Sequence, residues 1–212
     1  MMTMVDRDTE TLRGGRPKDP AKRAALVAAA QDLFMERGFE ATSIDAIAAR
    51  AGVAKVTVYS HFSGKDALFA AAVTAKCDFM LGADLTHLPG ATVEERLMAF
   101  ARRFLGLITD PESMAVHRLV MAEGGRHPEI AEIFFTNAVM GTCARLGVLL
   151  HAEVEAGTLA ITDYEMAAGQ FLALIKGMPM LRQELHIAPM SPEETERHLE
   201  AAVTTFLRAY SP

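Results

Sequence analysis

Polar side chains that suit contact with double-stranded DNA are concentrated between Lys55 and His61. Lys55 can contact a guanine edge or a phosphate, and Thr57 can hydrogen-bond a base or touch a thymine methyl. Val56 offers only apolar contact, which a thymine methyl would meet. Tyr59 and His61 carry polar tips that suit phosphate oxygens. These residue types, in this order, predict a surface that reads base pairs while it holds the DNA backbone.

Three further positions extend this surface. Ser60 lies beside Tyr59 on the same short segment. Lys65, in the first turn of the following helix, combines an ammonium with free backbone N–H groups, an arrangement that favours a phosphate. Thr42, at the start of the preceding helix, is a further phosphate position. The predicted DNA contacts are Thr42, Lys55, Val56, Thr57, Tyr59, Ser60, His61 and Lys65.

The residues around these positions predict the helices that hold them. Before Gly52, apolar residues recur with helical spacing at Ile44, Ile47, Ala48 and Ala51. Thr42 is predicted to cap this helix, with Asp45 three residues on in capping-box fashion. Gly52 makes the turn, and the inward residues after it are Val53, Val58 and Phe62. Two short helices joined by such a turn, with a third helix starting at once, are the layout of a DNA-reading helix-turn-helix.

Charge is unevenly distributed along the chain. The net charge is -6, but residues 13–65 hold nine Lys or Arg against five Asp or Glu, which leaves 12 basic and 22 acidic residues of the chain's 21 and 27 elsewhere. The basic surplus therefore coincides with the predicted DNA-reading segment. Arg13 and Arg16, flanked by glycine and proline, suit either a solvated tail or insertion into a narrow minor groove.

The segment resembles the TetR/AcrR family of transcriptional regulators. The residues that carry the resemblance are Thr42, Ile44, Ile47, Ala48, Ala51, Gly52, Val53, Lys55, Thr57, Val58, Tyr59, His61, Phe62, Lys65, Asp66, Ala67 and Leu68. The resemblance implies a homodimer whose two N-terminal heads enter successive major grooves of a palindromic operator, about 34–36 Å apart. In the family, Ser60 falls at a variable specificity position. Val56 stands where glycine is frequent, and Gly64 stands where a better N-cap is usual.

Helical spacing of apolar residues continues along the whole chain, and no segment alternates with period two. The predicted fold is all-α with nine helices and is TetR-like: an N-terminal three-helix helix-turn-helix head precedes a C-terminal helical bundle for ligand binding and dimerisation. The expected divisions are a mobile arm at 1–17, a DNA-binding domain at 18–66 and a sensing and dimerisation domain at 67–212. The fourth helix is expected to run to about His87. Thr162 is expected to cap the eighth helix, and Pro179 to kink it.

Residues 92–185 are rich in methionine and phenylalanine, and the chain has 13 methionines in all. Such side chains at helical spacing form either an ordinary core or a deformable cavity for an apolar ligand. The TetR resemblance favours a cavity among helices five to eight, with an apolar small molecule as effector. The expected partial lining is Phe104, Met114, His117, Met121, Phe135, Met140, Met178 and Arg182. His117 is either a hydrogen-bonded core or surface histidine or a group that orients the ligand.

The eighth and ninth helices are expected to form the dimer interface, because the family pairs its subunits through a four-helix bundle of this kind. Small residues on the eighth helix would permit close packing, and larger apolar residues on both helices would supply buried area. The expected interface residues are Ala167, Phe171, Leu174, Ile175, Leu199, Ala202, Val203 and Phe206.

Sequence motifs of several enzyme classes are absent: there is no glycine-rich phosphate loop, no GxSxG and no HExxH. We therefore expect neither catalysis nor a cofactor. No metal site is expected either, because His151, Glu153 and Glu155 do not share one helical face well and His186 has no obvious ligand nearby. The two cysteines are far apart in sequence and are expected to be buried apolar residues.

The N-terminus is polar and lacks the apolar segment of a signal peptide, and no apolar run approaches the roughly 18 residues that span a bilayer. A cytoplasmic protein is therefore expected. The resulting functional prediction is a ligand-responsive repressor that binds operator DNA as a dimer and is released by an apolar effector. A ligand-independent DNA-binding regulator and an activator remain as alternatives.

Overall fold

The computed structural model describes residues 19–82, 85 and 88–212. The predicted arm at 1–17, with Arg13 and Arg16, lies outside the described residues, as does His87. The described part of the chain contains nine α-helices and no strand, so the all-α, nine-helix prediction is confirmed. The helices are α1 Pro20–Arg37, α2 Ile44–Arg50, α3 Lys55–His61, α4 Lys65–Leu81, α5 Val93–Thr109, α6 Pro111–Glu123, α7 Pro128–Glu155, α8 Tyr164–Glu184 and α9 Pro192–Tyr210.

Two helices begin one residue later than the predicted caps require. The N-cap of α2 is Ser43 rather than Thr42, and its side chain accepts a hydrogen bond from the backbone N–H of Ala46. The N-cap of α8 is Asp163 rather than Thr162. Both corrections follow the same preference, since serine and aspartate are stronger caps than threonine.

α4 ends at Leu81, earlier than the predicted end near His87. Gly82 is its C-cap with φ 89°, a left-handed conformation that glycine adopts without the strain a side chain would cause. Leu85 and Leu88, which follow, are buried among the apolar residues of the later helices. α4 is therefore a helix of 17 residues with a fixed C-terminal end.

Two of the long helices are irregular. α7 contains a π-helical segment, Phe135–Met140, which inserts extra length into the helical turn. In α8 the backbone departs from helical geometry at Gly177, with φ -3° and ψ -113°, two residues before Pro179. The kink predicted from Pro179 is therefore confirmed.

α7 is long and apolar enough to cross a membrane by length and composition alone. The expectation that no apolar run approaches the length of a membrane span was wrong by this criterion. In the fold, α7 packs against α4 and α8, and Arg145 forms an ion pair with Asp78 of α4. These contacts cover only part of the apolar surface of the helix, since Phe135 and Val148 stay more than half exposed.

Buried residues form two clusters. The head, defined as α1–α3, has a core around Phe34, Phe39 and Phe69, whose ring centroids lie 5.3–5.5 Å apart. The body, defined as α5–α9, has a core in which the rings of Phe171 and Phe206 lie 4.7 Å apart. The first half of α4 packs in the head core and its second half in the body core. Because α4 belongs to both, the predicted division between residues 66 and 67 stays a prediction.

Candidate nucleic-acid interface

α3 presents its polar side chains to solvent. Val58 is fully buried and so determines which face of the helix turns inward. On the outer side Val56 is 74% exposed and Tyr59 53% exposed, and Lys55 and Ser60 are exposed as well. The predicted base-reading face is therefore accessible to a DNA groove, while the individual contacts stay predictions.

Lys55 is paired with Asp45 across the helix-turn-helix. Its Nζ lies 2.9 Å from Asp45 Oδ1, and the hydrogen bond to Asp45 raises the pKa of Lys55 above its ordinary value. Both side chains are more than half exposed, so the pair is easily separated in water. A phosphate or a guanine edge can therefore replace the carboxylate as partner of the ammonium.

Ser60 and Thr57 differ in the hydrogen bonds they can offer to DNA. Ser60 is exposed, and its Oγ donates to the backbone carbonyl of Thr57 at 2.7 Å. A hydroxyl whose proton is used in this way still accepts a hydrogen bond from a base amino group. Thr57 is half-buried, so its hydroxyl and methyl group are less accessible.

Thr42 is not available to DNA, which corrects the prediction. The residue is 1% exposed, and its Oγ1 lies within hydrogen-bond distance of the carbonyl oxygens of Leu33 (3.1 Å) and Gly38 (2.7 Å). The side chain therefore ties the end of α1 to the start of α2. The neighbouring Ser43 is exposed, which makes it the accessible hydroxyl at this helix start.

Lys65 is also engaged within the head. Its Nζ donates to the carbonyl oxygens of Phe39 (2.9 Å) and Glu40 (3.4 Å) and lies 4.2 Å from the centroid of the Phe39 ring. An ammonium has three protons, and these two acceptors leave one of them, so the phosphate contact of Lys65 stays a prediction. The N-cap, Gly64, provides no side-chain acceptor, so backbone N–H groups of the first turn of α4 stay open to a phosphate.

His61 is half-buried at the end of α3. Its Nδ1 is buried and has no hydrogen-bond partner among the described residues. A buried ring nitrogen cannot meet a DNA phosphate, which leaves Nε2 as the atom for such a contact. The predicted phosphate role of His61 is narrowed to that nitrogen.

A cavity of about 320 Å³ lies where the head meets the body. Helices α1 and α4–α8 all contribute to its wall, and its phenylalanine and methionine side chains are Phe34, Met35, Phe69, Phe104, Phe134 and Met180. Of the predicted lining, Phe104 and His117 are present. The cavity was expected among helices five to eight, and the contribution of α1 was not predicted.

Six of the eight predicted lining residues lie elsewhere. Met121, Phe135 and Met178 are more than half exposed to solvent, and Arg182 donates from Nε to the carbonyl of Ala188 at 2.7 Å. The remaining two, Met114 and Met140, also lie outside the cavity wall. Phe134, the neighbour of Phe135, lines the cavity instead.

Charged side chains surround one side of the cavity. Lys76 Nζ lies 2.9 Å from Asp110 and 2.6 Å from Glu112, which joins α4 to the start of α6. Burial opposes ionisation of Asp110, but hydrogen bonds from Lys76 and Ser113 outweigh it and lower the pKa of this carboxyl. His117 Nε2 lies 3.1 Å from Glu184 Oε1, which joins α6 to the end of α8.

Both cysteines are buried and line the cavity. Burial raises the pKa of the Cys77 thiol and of the Cys143 thiol, so both stay protonated at neutral pH. A protonated, buried thiol is a weak nucleophile and behaves as a small apolar group. The prediction that both cysteines are buried is therefore confirmed.

The predicted dimer residues belong to the body core instead. Seven of the eight are buried within the single chain: Ala167, Phe171, Ile175, Leu199, Ala202, Val203 and Phe206. The eighth, Leu174, is partly buried against the same core. Side chains without exposed surface cannot meet a partner, so the prediction was wrong for these seven. The sequence signal that it overlooked is a second apolar stripe on α8, exposed at Met166, Met178 and Leu181.

Two family models match the chain. Residues 26–72 match "Bacterial regulatory proteins, tetR family", and residues 95–212 match "AefR-like transcriptional repressor, C-terminal domain". The solved structure of "Flavonoid-responsive Regulator FrrA" is 35% identical, covers 92% of this chain and 99% of that chain, and has a TM-score of 0.73.

Curated relatives agree with these matches. "Uncharacterized HTH-type transcriptional regulator YdeS" of Bacillus subtilis (strain 168) is 30% identical over 149 residues, which are 68% of this chain and 71% of the relative. "HTH-type transcriptional activator FasR" of Mycolicibacterium smegmatis is 35% identical over 97 residues, which are 45% of this chain and 44% of the relative.

Proposed function

The chain belongs to the TetR family of transcriptional regulators, and from this premise we propose that it is a ligand-responsive repressor. In this proposal it binds a palindromic operator as a homodimer in the cytoplasm, and an apolar small molecule releases it. Members of the family are transcriptional regulators and not enzymes, which agrees with the absence of catalytic motifs. The observation that carries the proposal is the position of the cavity, whose wall includes residues of both the head and the body.

α4 is the element that a ligand would move. Its residues Phe69, Val73 and Cys77 line the cavity, and Gln31 of α1 donates from Nε2 to the carbonyl of Ala72 at 2.9 Å. A ligand that needs more room between α4 and the body therefore shifts α4 and α1 together. Release requires only that the ligand prefer the shifted state, and a 100-fold preference corresponds to about 2.7 kcal/mol.

The effector we propose is a neutral, largely planar aromatic molecule. The cavity volume falls at the lower end of the roughly 300–1,000 Å³ that small-molecule sites occupy. Four phenylalanine rings line it, and rings stack favourably on a flat aromatic ligand. Of the charged side chains in its wall, Lys76, Glu112 and His117 already have ion-pair partners. Lys176 has none among the described residues, so one cation is available to a polar group on the ligand. The flavonoid-responsive relative is consistent with this class.

The dimer surface we propose is the exposed stripe of α8 together with the outer face of α9. Met166 and Met178 are each more than half exposed, and Leu181 is 44% exposed, so these side chains offer apolar area that a partner can bury. Two-fold pairing of α8 and α9 would form a four-helix bundle between subunits. The buried residues Phe171 and Phe206 then support this surface from behind.

The direct test combines operator selection with ligand titration. Double-stranded DNA bound by the purified protein would be selected from a random pool, and the recovered sequence would be labelled and titrated by fluorescence anisotropy. We expect a palindrome whose half-site centres lie about one helical turn apart. A panel of neutral aromatic compounds should include some that lower the affinity for this operator. If no compound changes the affinity, the ligand-responsive part of the proposal fails.

A matched pair of glycine variants tests the cavity. Gly169 of α8 lines it and has no heavy atom within 4 Å of where a Cβ would lie, so Gly169→Leu should fill the cavity without distorting the helix. Gly106 of α5 is equally open but lies on the exposed side, so Gly106→Leu is the control. We expect Gly169→Leu to bind the operator normally and to lose the ligand response, and Gly106→Leu to keep both.

Sedimentation of two further variants tests the dimer surface. Met178→Glu should give monomers that bind operator weakly, because it places a charge in the proposed interface. Met121→Glu, at a residue 71% exposed on α6, should stay dimeric. A dimeric Met178→Glu protein would show that α8 does not pair in this way.

A ligand-independent regulator and an activator are the alternatives. The activator alternative has direct support from FasR, which is named as a transcriptional activator. Transcription in vitro from a promoter that contains the selected operator separates the cases. Repression predicts less transcript when the protein is added and recovery with ligand, whereas activation predicts more transcript.

A further inference from the structure

Three potential metal ligands from two separate elements meet where the head contacts the body. Glu40 belongs to the loop between α1 and α2, His127 is the N-cap of α7, and Glu129 lies in the first turn of α7. His127 Nδ1 lies 3.2 Å from Glu129 Oε1 and 3.5 Å from Glu40 Oε1. All three ligand atoms lie within 4.8 Å of one another. Sequence reasoning missed this cluster because Glu40 is far from the other two along the chain.

These separations suit a divalent transition-metal cation. Zinc bonds to nitrogen and oxygen of about 2.0–2.1 Å, at tetrahedral angles, place neighbouring ligand atoms about 3.3 Å apart. The two distances from Nδ1, 3.2 and 3.5 Å, lie close to that value. One imidazole with two carboxylates favours a zinc-class cation over Ca²⁺ or Mg²⁺, whose protein ligands are oxygen atoms. A water molecule can supply the fourth position.

The charges at this junction also favour a cation. A ring nitrogen carries at most one proton, so His127 Nδ1 cannot donate a full hydrogen bond to both carboxylates. Within the described ranges, the carboxylates of Glu40 and Glu129 have no Lys or Arg within ion-pair distance. A third carboxylate faces the same junction: Glu123 Oε1 would lie 3.7 Å from a Cβ placed on Gly38, and its Oε2 is buried without a described hydrogen-bond partner.

We propose that Glu40, His127 and Glu129 form a binding site for one zinc-class divalent cation per chain, and that the bound cation fastens the head to the body. One ligand comes from the head and two come from the start of α7, so a bound cation restricts movement of the head relative to α7. This proposal does not depend on the operator or the effector. The competing explanation for the cluster is a protonated His127 that bridges two carboxylates without metal.

Calorimetric titration of Zn²⁺ into tag-free, chelator-treated full-length protein tests the site, with Co²⁺ as the spectroscopic probe. We expect one cation per chain and the visible absorption of four-coordinate Co²⁺, which Zn²⁺ should displace. His127→Gln should abolish this binding. Glu40→Gln and Glu129→Gln should each weaken it by roughly tenfold or more, since even residues behind the ligands typically contribute 10–100-fold. The matched control is His151→Gln, which removes an exposed imidazole of the same helix and should bind as the wild type does.

The outcomes separate the explanations. If wild-type protein binds no Zn²⁺, or binds several ions that none of the three variants affects, the proposal is overturned and the protonated bridge accounts for the cluster. If His127→Gln abolishes binding but Glu40→Gln does not weaken it, the cation is held by the body alone and the link to the head is overturned. Thermal unfolding gives an independent readout: Zn²⁺ should raise the Tm of the wild type and not that of His127→Gln.

Discussion

The head and the body differ in how completely each forms its own core. The body core is drawn from α4, α5 and α7–α9 and includes no residue of α1–α3 among those described. The head core includes Val120 of α6 and Ile130 of α7, both buried, with further α6 and α7 side chains packed against it. The dependence is one-way: the body keeps its core without the head, but the head lacks part of its core without the body.

This difference explains how a small DNA-reading unit can be both stable and adjustable. The three helices of the head bury too little apolar surface to be stable alone, because small domains bury a smaller fraction of the surface that their unfolded chain exposes. Packing against α6 and α7 supplies the missing surface. The same helices line the cavity through Val116 and Phe134, so the contacts that stabilise the head also position it.

The largest effect should come from the body core. Phe171 is fully buried between Phe100 and Phe206, with ring centroids 6.2 and 4.7 Å away. Phe171→Ala should lower the free energy of unfolding by about 3–5 kcal/mol. Because the head depends on the body, hydrogen exchange should show α1–α3 losing protection as well. Head amides that stay protected while the body opens would contradict the one-way dependence.

A second variant tests Ile130, the residue of α7 that packs in the head core. Ile130→Ala should lower the free energy of unfolding by about 2–4 kcal/mol, because Ile130 is fully buried. Its effect on hydrogen exchange should be larger in α1–α3 than in α8 and α9. Val203→Ala removes two methyl groups of a fully buried side chain in the body core instead and should not show this bias towards the head. If the two variants showed the same pattern of hydrogen exchange, the proposed dependence of the head core on α6 and α7 would be refuted.

The body also contains an ion pair that should make its stability sensitive to acid. Glu153 is buried, and Arg96 donates to it from Nε and, at 2.8 Å, from Nη2, which holds the pKa of Glu153 below its ordinary value. A lowered folded-state pKa gives stabilisation that is present above the ordinary glutamate value of about 4.3 and is lost as the pH falls through the folded-state pKa. Urea unfolding of the wild type and of Glu153→Gln would be measured at about pH 7, 5, 4 and 3. The free energy of unfolding should fall more steeply with decreasing pH for the wild type than for the variant. Parallel curves would exclude this role of Glu153.

The smallest effect on stability is expected on the outer face of the head. Tyr59→Ala should change the free energy of unfolding by less than about 0.5 kcal/mol, because the residue is exposed. It should weaken DNA binding to a similar extent for every operator base variant, because a phosphate contact carries no base information. Val56→Ala should instead alter the preference at one base pair. Sensitivity of Tyr59→Ala to particular bases would contradict its assignment to the phosphate backbone.

The base-reading face could be predicted because it depends on local helical periodicity. Once Val58 is buried, the 3.6-residue repeat exposes Val56, Tyr59 and Ser60 without further information. The burial of Thr42 and the internal hydrogen bonds of Lys65 lie where this reasoning ends. The carbonyl of Leu33 is 9 residues from Thr42, and that of Phe39 is 26 residues from Lys65, separations about which helical periodicity gives no information.

The body was harder to predict because its helices have more than one apolar stripe. Sequence periodicity identifies the stripe through Phe171 and Ile175, but it does not determine whether a neighbouring helix or a second subunit covers it. The lining of the cavity depends in addition on helix rotation, which the π-helical segment of α7 changes. The sequence therefore predicted the existence of an apolar site better than the identity of its residues.

The placement of Ile130 has a consequence for engineering. Regulators of this architecture can be combined into chimeras, in which the DNA-reading portion of one protein is joined to the sensor of another. If the chain were cut before α5, Val120 and Ile130 would not be transferred with the head. The core of the transferred head would then contain a cavity where these two side chains pack. A working chimera should therefore have, on α6 and α7 of its sensor, side chains that fit the core of the transferred head. Val120 and Ile130 are the first two residues to transfer together with that head.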